Sequence, residues 1–263
     1  MVVAGYLGSL GVIDEDFLAK RPPAGRCVHC LGTFEERTWD HVFPVAWYPD
    51  STPQNVEKWK APSCLACNQR HAANEGDLLS KFGMCIDPNA TASSGIVEKV
   101  LRGFNPAEGR DLRDSEIRDA LRQKLQREAL HGDEIIYEGI YPAFGVTAEL
   151  EAIPSNERMA LRIPANGLAQ LTEKIIRGII YLKDNRFLEQ PYQIEQYAMT
   201  EDSAGPVLAL LEKHGVSFSR EPGITVTRAV VPDDGITAIY RVEIWGRIRR
   251  YAFVSKSPTE DDA

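Results

Sequence analysis

The stretch CVHC, residues 27 to 30, followed by TWDHVFP, 38 to 44, and CLACNQRH, 64 to 71, decides how the first third of this chain folds. Two C-x-x-C pairs, Cys27/Cys30 and Cys64/Cys67, bracket residues 31–63. Two close thiolate pairs satisfy the tetrahedral all-sulfur preference of a structural zinc ion, and in a reducing compartment that reading is preferred to disulfides. Joining the pairs would fold the intervening segment back as a compact loop. A hairpin bearing Asp40 and His41 is then expected to lie against a helix beginning near Cys67.

Polar residues gather inside this frame. Asp40-His41 and Asn55 lie between the pairs, and Asn68 and His71 follow the last cysteine. On a helix Asn68 and His71, three apart, share a face from which either can reach a cation alongside Asp40. A carboxylate with an amide oxygen suits magnesium or manganese, and imidazole is also tolerated by manganese, nickel or zinc. A histidine beside such a cation is suited to take a proton from water. His29, between the first two cysteines, is expected to be an exposed knuckle residue. Trp39, Phe43, Trp47 and Trp59 are expected to form the small core around the zinc.

The pattern C-V-H-C, D-H-V-F-P, N and C-L-A-C-N-x-x-H resembles the HNH endonucleases, the zinc-knuckle branch of the His-Me finger or ββα-metal group, over residues 24–82. The resemblance implies that His41 is the general base, that Asp40 and Asn68 hold a catalytic Mg2+ or Mn2+, and that Asn55 orients the histidine. It implies His71 as a further metal contact and DNA as the substrate. Arg70 is a candidate phosphate contact. The glycines that often follow the D-H-x-x-P core in that family are replaced here by VAWYPDSTPQN, so the loop leading to Asn55 can take another path. A zinc-ribbon module that binds nucleic acid or protein without cutting explains the cysteines equally well, and an effector aimed at RNA or acting in phage defence would keep the same chemistry.

The remaining sequence sets the context. The chain has 263 residues, a formal net charge of −8 and 43% hydrophobic residues, an ordinary globular balance that argues against non-specific coating of nucleic acid. No apolar run approaches a bilayer span and the start lacks a basic signal region, so a cytoplasmic protein without membrane contact is expected.

The expected fold class is α+β: a zinc-stabilised ββα-metal unit at 1–90, a helical segment at 91–132, and a mixed α+β unit at 133–263 supplying specificity, homodimerisation or control. Helices are expected over 96–104, after Asn105-Pro106, over 115–130, 167–185 and 206–214, and strands over 134–141, 158–164, 224–231 and 236–255. In the last strand Arg241, Trp245, Arg247 and Arg249 alternate onto one face, a composition suited to phosphates and bases, with a covered or ion-paired sheet face as the plainer reading.

Overall fold

The computed structural model describes residues 20–136, 141, 153–200 and 202–257. Strands β1 (Gly25–Arg26) and β2 (Thr33–Phe34) pair antiparallel around the first C-x-x-C turn. Strands β3 (Thr38–His41) and β4 (Lys60–Ser63) form a second antiparallel pair, with Asp40 opposite Ala61 and His41 opposite Lys60. Helix α1 (Leu65–Gly83) leaves directly from β4. Cys64 caps it, accepting a hydrogen bond on sulfur from the Cys67 amide, so one cysteine both starts the helix and turns its thiol toward the other three.

Beyond this β-β-α unit come α2 (Ile96–Gly103), α3 (Leu112–Glu128), the pair β5 (Ala129–His131) and β6 (Met159–Leu161), and α4 (Ala165–Asp184). Strand β7 (Tyr192–Tyr197), α5 (Gly205–His214), β8 (Val216–Arg220), β9 (Ile224–Val230), β10 (Ala238–Ile244) and β11 (Ile248–Lys256) complete the order. The last five strands form one antiparallel sheet in the order β7-β11-β10-β9-β8.

The structure corrects several details of the sequence reading. The long strand expected over 236–255 is two strands, because Trp245 adopts a left-handed φ of 52° and Gly246 one of 64°, closing a tight hairpin between β10 and β11. After Asn105 there is only a single turn, Pro106–Glu108, which ends at Gly109. A separate cap, Asp111, then accepts from the Asp114 amide and starts α3. The apolar stripe of α3 is largely open: Ile117 and Leu121 are exposed and Leu125 is half-buried. Its bases pair with neighbouring acids, Arg118 with Asp114, Arg122 with Asp119 and Lys124 with Asp77. Of the strand expected over 134–141, residues 137–140 lie outside the described residues, and the rest is not strand: Glu134 ends a short 3-10 turn, Gly132–Glu134.

The N-terminal and C-terminal parts are not packed as separate units. Val42, Phe43, Trp47, Trp59, Leu78 and Phe82 from the first share one buried cluster with Leu171, Ile175, Ile179, Tyr240, Val242 and Trp245 from the second. The small core expected around the cysteines is therefore one wall of a larger one. Helix α4 makes this contact possible: its Leu168, Leu171, Ile175 and Ile179 recur at helical spacing and are buried. At Gly178 the helix comes so close to β3 that an added Cβ would lie 2.4 Å from a Val42 methyl. Gly178→Val is accordingly expected to destabilise the protein by about 1–3 kcal/mol, the usual cost of overpacking a dense interior, measured by urea unfolding.

Candidate functional site

The four cysteines converge. Their sulfur atoms all lie within 4.8 Å of one another, and Cys30 Sγ is 3.9 Å from Cys64 Sγ. Tetrahedral thiolates on zinc stand about 3.8 Å apart given bonds of about 2.3 Å, so the group is positioned to bind a metal of that size. The surrounding backbone favours anionic sulfur. The His29 amide donates to Cys27 Sγ at 3.4 Å and the Cys67 amide donates to Cys64 Sγ at 3.4 Å. Burial alone would raise the Cys27 thiol, yet amide donors from Cys30, Cys64 and His29 bring it down to about 7. Cys67 goes the other way: burial, and then the neighbouring sulfurs, push it up, a repulsion that a bound cation removes.

Beside this group, strand β3 and helix α1 form the wall of a cavity of about 310 Å³. Asp40, His41, Asn68 and Glu75 line it together with apolar residues that include Trp39, Val45 and Leu79. Asn68, Ala72, Glu75 and Leu79 recur at helical spacing, which is why one face of α1 supplies them all. The Asn68 amide nitrogen donates to Thr38 Oγ1 at 2.8 Å and to the Trp39 carbonyl at 3.4 Å, pinning α1 to the hairpin. Its Oδ1 has no hydrogen-bond partner among the described residues. Three of the expected site residues, Asp40, His41 and Asn68, thus meet at one cavity.

Asp40 is a buried charge, 4% exposed. Its Oδ2 accepts from His29 Nε2 at 2.9 Å and its Oδ1 pairs with Lys174 Nζ at 2.8 Å. Burial opposes ionisation, but the His29 hydrogen bond and the Lys174 charge outweigh it and hold the carboxyl below the usual Asp range. Lys174, 1% exposed on α4, also pairs with Glu75, whose own carboxyl burial nevertheless raises. His41 is half-buried. Burial lowers its pKa, assisted by Lys60, Lys174 and Lys58 against the opposing pull of Asp40, so its imidazole is neutral and able to accept a proton at neutral pH.

His41 also lines a second, more open cavity of about 730 Å³, with Lys58, Lys60 and Lys99 on its wall. Lys99 is committed to Asp50 at 2.7 Å, and Lys58 lies 5.2 Å from the centre of the Tyr48 ring. A proton acceptor therefore sits where an acidic cleft adjoins a basic one.

Other expectations are corrected. Asn55 is exposed in a turn and lines neither cavity, because Trp47 and Tyr48 are driven into the core and turns at Pro49 and Pro53 carry the loop away. His29 is no exposed knuckle residue; its side chain is 5% exposed and bonded to Asp40. His71 lies off the cavity, buried against His29 with ring centres 4.4 Å apart. Arg70 is exposed and its guanidinium donates to Cys67 Sγ at 3.5 Å.

On the sheet the plainer reading holds for two of the arginines. Arg241 and Arg249 both pair with Glu243. Trp245 is buried, 3% exposed, stacked on Trp47 with ring centres 5.0 Å apart and donating to the Trp47 carbonyl at 2.8 Å. It braces the loop after His41 and offers no face to a base. Arg247 is half-buried beside it in the turn.

Lys174 and Glu75 complete the site. The missed signal was a lysine inside the buried stripe of α4, between Leu171 and Ile175, where an unpaired cation would be costly. Comparisons with protein-family models, curated proteins and solved structures found no match for this chain.

Two outcomes follow from the geometry. Lys174→Ala leaves Asp40 and Glu75 without their shared cation and is expected to cost about 3–5 kcal/mol, read from denaturant unfolding. Cys64→Ala removes both a metal ligand and the cap of α1. It is expected to lower stability by at least about 3 kcal/mol, a fall of about 6–12 °C in the unfolding midpoint by calorimetry, with loss of tightly held metal.

Proposed function

We propose that this protein is a metal-dependent endonuclease of the HNH type that hydrolyses DNA, with zinc held structurally by Cys27, Cys30, Cys64 and Cys67. The observation that carries the reading is the β-β-α unit of β3, β4 and α1. It sets Asp40, His41 and Asn68 around one cavity next to a four-thiolate group, the arrangement the sequence resemblance implies. The donor set suits the cation as well: an unpartnered Asn68 Oδ1 and the carboxylates of Asp40 and Glu75 are hard oxygens of the kind magnesium and manganese prefer.

In this mechanism His41 takes a proton from a water that attacks phosphorus in line with the departing 3′ oxygen. Asp40 and Asn68 hold the divalent cation, which when bound stabilises the charge that develops on the phosphate. Lys58 and Lys60, beside His41 on the wall of the open cleft, neutralise flanking phosphates. His29 and Lys174 keep Asp40 ionised and fixed in orientation. The closed four-sulfur zinc leaves no position for substrate and serves stability alone.

One observation favours a second reading, a zinc module that binds without cutting. Both carboxylate oxygens of Asp40 are already engaged, one in a hydrogen bond with His29 and the other paired with Lys174. Supercoiled plasmid nicking in magnesium or manganese separates the two. Wild type is expected to nick, and His41→Ala to lose about 10²–10⁴-fold in rate while keeping its bound zinc. Equal rates for the two proteins would remove His41 from the chemistry. A wild type that leaves DNA and RNA intact while still binding them would establish the binding module.

A further inference from the structure

His71 is 5% exposed, and neither its Nδ1 nor its Nε2 has a hydrogen-bond partner among the described residues. An imidazole always carries at least one N–H donor or lone pair that burial leaves uncompensated, at a cost of about 1–3 kcal/mol. His29, its neighbour, is in a related position: its Nε2 meets Asp40, and its buried Nδ1 has no partner. Three side chains from three elements thus converge in the interior, His29 from the knuckle turn, Asp40 from β3 and His71 from α1. Their ligand atoms all lie within 4.8 Å of one another.

We propose that His29, Asp40 and His71 form a second metal site, distinct from the four-thiolate group, for a borderline divalent cation of the zinc class. Two imidazoles and a carboxylate are nitrogen-rich ligation, suited to zinc, cobalt or nickel and poorly suited to magnesium. His29 Nε2 and Asp40 Oδ2 already face each other at 2.9 Å, and a tetrahedral ion with bonds of about 2.1 Å needs them to part only to about 3.4 Å. An ion there would satisfy a His71 nitrogen that nothing else among the described residues reaches.

Charge favours it as well. Four thiolates around one zinc carry a net charge of about −2. His29 is flanked in sequence by Val28 and Cys30, so the second ion would sit beside that negative centre, with Asp40 contributing a further negative charge. Lys174 stays with Asp40 Oδ1 and Glu75, on the other side of the carboxylate. Two adjoining ions would then tie the knuckle, the hairpin and α1 together from the inside. The site shares Asp40 with the cation of the proposed nuclease but adds His71, which that reading does not use, so failure of the nuclease reading leaves it standing.

The test is metal analysis of the full chain, equilibrated with excess zinc and then desalted. Wild type is expected to hold about two zinc ions per chain, and His71→Ala and His29→Ala about one each, with circular dichroism unchanged. Zinc-edge X-ray absorption of the wild type is expected to show mixed sulfur and imidazole ligation. One zinc per wild-type chain with sulfur ligands alone would overturn the site. So would His71→Ala retaining both ions. If either variant fails to fold, the count and ligation of the wild type still decide.

Discussion

A single carboxylate inside the protein organises the rest. Asp40 cannot be buried as an anion unless positive or donating groups come to it, and they come from distant parts of the chain: His29 from the knuckle and Lys174 from α4. Each partner has consequences of its own. Lys174 also draws in Glu75, which fixes α1 against α4, and the Asn74 amide adds a 2.8 Å bond to the Gly167 carbonyl along the same seam. His29 holds the first C-x-x-C turn to the hairpin.

Much of the local architecture could be read from residue order. The two C-x-x-C pairs foretold the sulfur cluster, and a helix expected to begin near Cys67 begins two residues earlier, at Leu65. The stripe Leu168, Leu171, Ile175 and Ile179 gave α4, and Gly215 gave the end of α5. Asp40, His41 and Asn68 were nameable because cysteine spacing is a long-range constraint written into sequence. The edge strands β7 and β8 were not anticipated: YQIEQY and VSFSR are short, polar and weakly patterned, as edges are.

What could not be read were pairings across long separations. Nothing near Lys174 announces that its partner is residue 40, and nothing near Trp245 announces Trp47. Periodicity places a residue on a face and is silent about what that face meets. Trp245 is the sharpest instance: alternation along one assumed strand put it with the arginines, whereas a three-residue turn, Trp245–Arg247, reversed the chain and sent the indole inward.

The stacking of Trp245 on Trp47 bears on how this chain can have arisen. A cysteine-framed hairpin and helix of this size is commonly regarded as a cassette, free to be spliced between hosts. Here Trp47 is covered by Trp245, encoded some two hundred positions later, and Asp40 is paired with a lysine of helix α4. Such a unit is not portable as it stands: cut from the rest, it would bare an indole and leave a buried acid without its lysine.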